Sequence, residues 1–196
     1  MKSVIATSLA LSLFACCDAY ADVITFDNLP DSTIVTNQFP GVSFTDGPVV
    51  LAKGVGLEPA FPPVSDPNVI GASQIGTITA TFTTPVSSVG AFVTGGESIT
   101  ESIFRGTTML GSVSTGGANI VGAGTGLPPN IFLSISNFDI TSVVFTGSGP
   151  TFTLDNFTFT PTPVPGPVVG AGLPGLIMAC GGLLALARRR RRQLAV

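Results

Sequence analysis

Polar and apolar positions alternate in short runs along most of this chain, between two longer apolar segments at its ends. Thr77-Ile78-Thr79-Ala80-Thr81-Phe82-Thr83 alternates without a fault, so Ile78, Ala80 and Phe82 share one face and the threonines share the other. A period of two belongs to a strand with one face packed and one wet. Similar segments run through residues 23–26, 42–44, 89–93, 102–104, 109–113, 131–135, 140–145 and 151–160, separated by Gly, Pro, Asn and Asp. No helical period appears outside the two terminal segments. The pattern predicts an all-β domain, an antiparallel β-sandwich of jelly-roll or related type with about nine or ten strands. Residues 46–76 and 114–130, rich in Gly and Pro, read as long loops.

The last strand segment contains a slip. Phe152 and Leu154 occupy even positions, Phe157 and Phe159 odd ones. A bulge at Asp155-Asn156 would turn both pairs to the core and re-aim the Asp155 side chain. A second Asp-Asn pair, Asp27-Asn28, follows the first strand, and the two pairs meet if the terminal strands lie side by side. Asp27 and Asp155 are therefore candidate oxygen ligands for a structural Ca²⁺, which favours carboxylates and carbonyls. The alternative is that each Asp caps a turn through backbone N–H groups.

The ends of the chain have a different chemistry. Lys2, an apolar stretch over 4–17 and Ala19-Tyr20-Ala21 form the n-region, h-region and small-x-small site of an export signal, with cleavage by signal peptidase after Ala21. A lipoprotein reading through Leu13-Phe14-Ala15-Cys16 fits less well, because Phe14 is bulky. At the other end Pro163-Val164-Pro165-Gly166-Pro167 precedes an apolar run over 168–187 and then Arg188, Arg189, Arg190, Arg191 and Arg192. Twenty helical residues would rise about 30 Å, the thickness of the hydrocarbon core, with the arginines on the cytosolic side. The expected organisation is a signal peptide (1–21), a β-sandwich (22–160), a Pro-rich linker with its motif (161–167), a transmembrane helix (168–187) and an Arg-rich tail (188–196).

The order of motif, span and arginine cluster resembles the PEP-CTERM sorting signal of exopolysaccharide-producing Gram-negative bacteria. The resemblance covers residues 164–193, and Val164-Pro165-Gly166-Pro167 stands where that family usually carries Val-Pro-Glu-Pro. It implies an exported surface or matrix protein, processed by an exosortase, with the Gly166 departure marking a variant subclass. Ile24-Thr25-Phe26-Asp27-Asn28-Leu29-Pro30, Gly41-Val42-Ser43-Phe44 and Phe152-Thr153-Leu154-Asp155-Asn156-Phe157 resemble the jelly-roll domains often joined to such tails, which are similar to carbohydrate-binding modules.

Composition narrows the chemistry. Residues 22–160 carry ten acidic side chains against only Lys53 and Arg105, a net charge of −8, so nucleic acid and anionic lipid are disfavoured partners. The domain has no Cys, His, Trp or Tyr, which removes disulfides, Ser-His-Asp and Cys-His nucleophiles, and His/Cys metal sites. The remaining catalytic option is a carboxylate pair, Glu97 and Glu101. In strand geometry they stand about 13 Å apart, too far for glycoside hydrolysis, and they read as solvated surface. The thirteen phenylalanines read as core. These features favour a non-enzymatic surface protein associated with exopolysaccharide, with a calcium-assisted carbohydrate-binding module as the alternative.

Overall fold

In the computed structural model, which describes residues 21–73, 75–149, 151–162 and 172–193, the alternating segments become antiparallel strands. They are β1 (Asp22–Ile24), β2 (Val42–Thr45), β3 (Val49–Ala52), β4 (Asn68–Gly71), β5 (Thr77–Gly95), β6 (Thr100–Arg105), β7 (Thr108–Ser114), β8 (Ile131–Thr146) and β9 (Phe152–Pro161). Their order is β3-β4-β9-β5-β8-β6-β7, with β1 beside β9 and β2 beside β5. The all-β, antiparallel expectation holds.

Two strands organise the rest. The segments at 77–83 and 89–93 are one strand, β5, and those at 131–135 and 140–145 are one strand, β8. Their pairing shifts register between Thr81 and Val86 and again before Ser88. Before the shift β5 pairs with β2; after it β5 pairs with β9. The last part of β8 likewise pairs with β6. The sheet thus passes from one set of neighbours to another and folds over on itself. Phe44 of β2 and Phe145 of β8 meet Phe157 of β9 with ring centroids 5.3 and 6.3 Å apart, and Phe82 of β5 meets Phe159 at 5.3 Å. One continuous apolar cluster fills the space between the layers.

The loop expected over 46–76 requires correction, since it contains β3 and β4. Their sequences, VVLA and NVIG, lack alternation, and β4 is buried at all four positions. A strand covered on both faces carries no period-two signal. Residues 115–130 form no strand, as expected.

The C-terminal segment belongs to a separate compact unit. Its helix, α1, spans Gly172–Gln193 and includes Arg188 to Arg192. The expected transmembrane helix over 168–187 is not reproduced: among the described residues no helix is long and apolar enough to cross a membrane. The first four residues of the expected span, the motif Val164, Pro165, Gly166 and Pro167, and Ala19 of the signal all lie outside the described residues.

Phe157 is fully buried and touches Phe44, Phe82, Phe145 and Phe159. Replacement Phe157→Ala should cost about 3–5 kcal/mol in urea unfolding, the range for a deleted core ring. A loss below about 1 kcal/mol would contradict its role as the junction of the layers.

Candidate functional site

The slip in β9 is present, and it organises one side of the domain. Asn156 adopts a left-handed φ of 47°, and β9 shifts register against β5 between Gly90 and Phe92. Phe152, Leu154, Phe157 and Phe159 are all buried in the core as a result. Asp155 therefore points to the outer face of the sheet, yet it is only 2% exposed. A Pro-rich segment lies over it: Val64 N–H (2.6 Å) and Ser65 N–H (2.9 Å) donate to Oδ2, while Ser65 Oγ (3.1 Å) and Asn156 N–H (2.6 Å) donate to Oδ1. Burial raises the Asp155 pKa, opposed by these hydrogen bonds, which favour the charged form.

Asp27 serves the same segment at its far end. Its Oδ1 accepts from Asn68 N–H at 3.0 Å, and Asn68 Nδ2 donates to the carbonyls of Phe26 (3.1 Å) and Leu29 (2.8 Å). The two Asp-Asn pairs are thus joined through residues 64–68. The donor set does not fit Ca²⁺. Asp155 has N–H and O–H groups aimed at both oxygens, and a cation in that place would have to displace them. Among the described residues no group of three or more His, Cys, Asp or Glu could hold a metal ion. Local turn-capping describes only the bond from Asn156 N–H to Asp155; the other groups that Asp155 and Asp27 bind, on Val64, Ser65 and Asn68, are distant in sequence.

Beside Asp155 on the outer face is a feature that the alternation concealed. After the register shift in β5 the odd positions Val89, Ala91 and Val93 are buried, so Gly90 and Phe92 face outward. Phe92 lies directly opposite Asp155 on β9 and Phe132 on β8. The two rings form a tilted pair with centroids 4.9 Å apart and planes at 46°, and Phe132 is 48% exposed. Its ring lies across Gly90, where an added Cβ would sit 3.0 Å from Phe132 Cζ and 2.6 Å from the Leu133 carbonyl oxygen. Only glycine leaves room for that ring. Below the pair the same face presents Thr158, Ser134, Ser88, Thr160 and Ser136, with Ser88 Oγ donating to Thr160 Oγ1 at 2.9 Å. Above it Asn130 and Thr94 exchange hydrogen bonds at 2.9 Å. Reading every Phe as core missed this pair. The parity of Gly90 and Phe92 against Val89, Ala91 and Val93 was the available signal.

Of the side chains named on this face only Asp155 is ionisable, and residues 64 and 65 cover it. Both basic residues of the domain are in ion pairs, Lys53 with Asp66 of the segment that covers Asp155 at 3.0 Å and Arg105 with Asp139 at 3.5 Å. An open groove of about 260 Å³ lies at another place, among Leu51, Leu57, Glu58, Phe61, Thr151 and Phe152. Its one carboxylate is exposed, and no set of polar groups converges in it.

The carboxylate pair is also corrected. Glu97 is exposed, but Glu101 of β6 is fully buried, facing the core with Ile103 and set between Phe145 of β8 and Val113 of β7. Neither carboxyl oxygen has a hydrogen-bond partner. Desolvation pushes its pKa up to about 8. The two groups occupy different environments and form no catalytic pair.

No family model matches the chain, and no curated protein matches it. Among solved structures it is similar to CsCBM6-3 from Clostridium stercorarium in complex with cellobiose, at 19% identity and a TM-score of 0.36, covering 72% of this chain and 94% of that one. It is also similar to TmCBM61 in complex with beta-1,4-galactotriose, at 11% identity and a TM-score of 0.34, covering 74% and 90%. A variant of the family 29 carbohydrate-binding module CBM29-2 aligns at 12% identity and a TM-score of 0.35, covering 72% and 91%.

Glu101 makes stability depend on pH in a definite direction. Its folded pKa lies above the ordinary value of 4.5, so its contribution is fully present below that value and is lost as pH rises through about 8. The loss amounts to roughly 1.4 kcal/mol per pH unit across the window. Glu101→Gln should remove that dependence, so thermal melts of the two proteins should diverge from pH 5 to pH 8, with the variant more stable at the upper end. Parallel curves would show that Glu101 ionises normally.

Proposed function

We propose that this chain is an exported, non-enzymatic protein of the cell surface or extracellular matrix, whose domain is a β-sandwich that binds uncharged polysaccharide on its open sheet face. The observation that carries this reading is the Phe92–Phe132 pair standing in a row of Ser and Thr hydroxyls, with the one neighbouring carboxylate, Asp155, buried under residues 64 and 65. A pyranose ring has an apolar C–H face and a rim of hydroxyls. Aromatic faces take the first, and Ser, Thr and backbone groups take the second, as in binding sites where a few polar groups orient a ligand on an apolar surface. Anionic glycans would need basic partners, and the domain's net charge of −8 opposes them. The calcium-assisted form of this reading is not retained, because the Asp155 carboxylate is already occupied by donors.

Delivery is the second part of the proposal. The N-terminal segment directs export and signal peptidase removes it at Ala19-Tyr20-Ala21; Val164-Pro165-Gly166-Pro167 and the helix ending in five arginines form a variant PEP-CTERM-type signal. An exosortase-type enzyme in the inner membrane then processes the chain, which is retained near exopolysaccharide. The order of these motifs in the sequence and the helix that carries the arginines support this reading.

Affinity electrophoresis of the 22–162 domain in gels containing neutral or uronate-rich polysaccharides tests the first part. Retardation by neutral glycans is expected, and Phe132→Ala should weaken it about tenfold, the equivalent of about 1.4 kcal/mol. Equal retardation of the variant would remove the face from consideration. For the second part, intact mass of the protein exported by an exopolysaccharide-producing Gram-negative host should show a product that begins at Asp22 and ends near Pro165. A full-length C-terminus at Val196 would overturn the processing.

A further inference from the structure

We infer that Asp155 is a positioning residue for glycan binding, holding residues 62–66 as a raised rim beside the Phe92–Phe132 pair. The inference rests on the reading of the outer face given above. Residues 62–67 are Pro-Pro-Val-Ser-Asp-Pro, and three prolines leave this stretch only three backbone N–H groups with which to hold itself. Two of those, on Val64 and Ser65, end on the Asp155 carboxylate, and the Ser65 hydroxyl adds a third bond to the same group. Ser65 Oγ also bonds Asn156 Oδ1 at 2.8 Å, so both residues of the β9 bulge grip one serine.

The placement follows from register. Asp155 pairs directly with Phe92, with both side chains on the outer face, so the segment above Asp155 stands about one strand spacing, roughly 4.8 Å, from Phe92 and about two from Phe132 on β8. The rim is anchored at its other end by Asp27 through Asn68. It is also joined to the opposite loop, where Val121 N–H donates to the Ala60 carbonyl at 3.0 Å. A ligand lying on Phe132 meets this rim as a fixed wall. Without the carboxylate, residues 62–66 lose the bonds that set their height over the sheet.

The test compares Asp155→Asn, Ser65→Ala, Ser65→Thr and Phe132→Ala in the 22–162 domain against a neutral polysaccharide that retards the unaltered domain. Measurements are made at a temperature where circular dichroism shows each variant folded. Asp155→Asn and Ser65→Ala are expected to weaken binding about three- to tenfold. Amide exchange at Val64 and Ser65 should be accelerated, and Ser65→Thr, which keeps the hydroxyl, should restore affinity. If Asp155→Asn does not fold, the two Ser65 variants decide the question. A lower melting temperature with unchanged affinity in Asp155→Asn and Ser65→Ala makes the clamp merely structural and overturns the inference, even while Phe132→Ala still weakens binding about tenfold. Unchanged binding by Phe132→Ala overturns the face and this inference together.

Discussion

Successive side chains of a strand point to opposite faces, so a regular strand can send only one parity of residues inward. In β9 the apolar side chains change parity between Leu154 and Phe157, and the chain meets this conflict by inserting a bulge at Asp155-Asn156. Much else depends on that insertion. It brings Phe157 and Phe159 into the core, where Phe157 joins rings from β2, β5 and β8. It also presents a carboxylate to the outer face, where an uncovered group would be solvated and a covered one must find donors. The covering segment supplies them.

That exchange explains why a Pro-rich stretch with few N–H groups of its own is held against the sheet. Its height over β9 is set by bonds to residues about ninety positions away. The same principle fails to act at Glu101. This side chain is as deeply buried as any in the core, but nothing donates to it. The inexpensive state for such a group is the protonated one, which is why its pKa rises. Burial raises the pKa of both carboxyl groups, but Asp155 has donors that oppose the shift and Glu101 has none.

The proposed binding face is separated from the core by the same parity rule. When β5 shifts register against β8, the inward parity changes from Ile78, Ala80 and Phe82 to Val89, Ala91 and Val93. The change frees Phe92 to face outward over Gly90 and beside Phe132, and the Ser and Thr positions of β8 and β9 complete an uncharged surface. Binding of a neutral glycan needs no titratable group or metal there. This agrees with a domain that has no His, Cys, Trp or Tyr and keeps its two cations in ion pairs.

The amino-acid sequence by itself determined the all-β class, the antiparallel strands, the slip at Asp155-Asn156 and the exclusion of most nucleophilic and metal chemistry. These are properties of local period and composition. Tertiary structure alone decided that β3 and β4 lie within a stretch that reads as loop: β4 is covered on both faces and shows no alternation, and β3, an unbroken apolar VVLA, shows none either. It also decided that Glu101 is buried and Glu97 exposed, that Phe92 and Phe132 face outward, and that the donors to Asp155 come from residues 64 and 65. Local pattern distinguishes one face of a strand from the other. Which face becomes the core, and which distant segment covers the outside, follows only from strand order and register across the whole sheet.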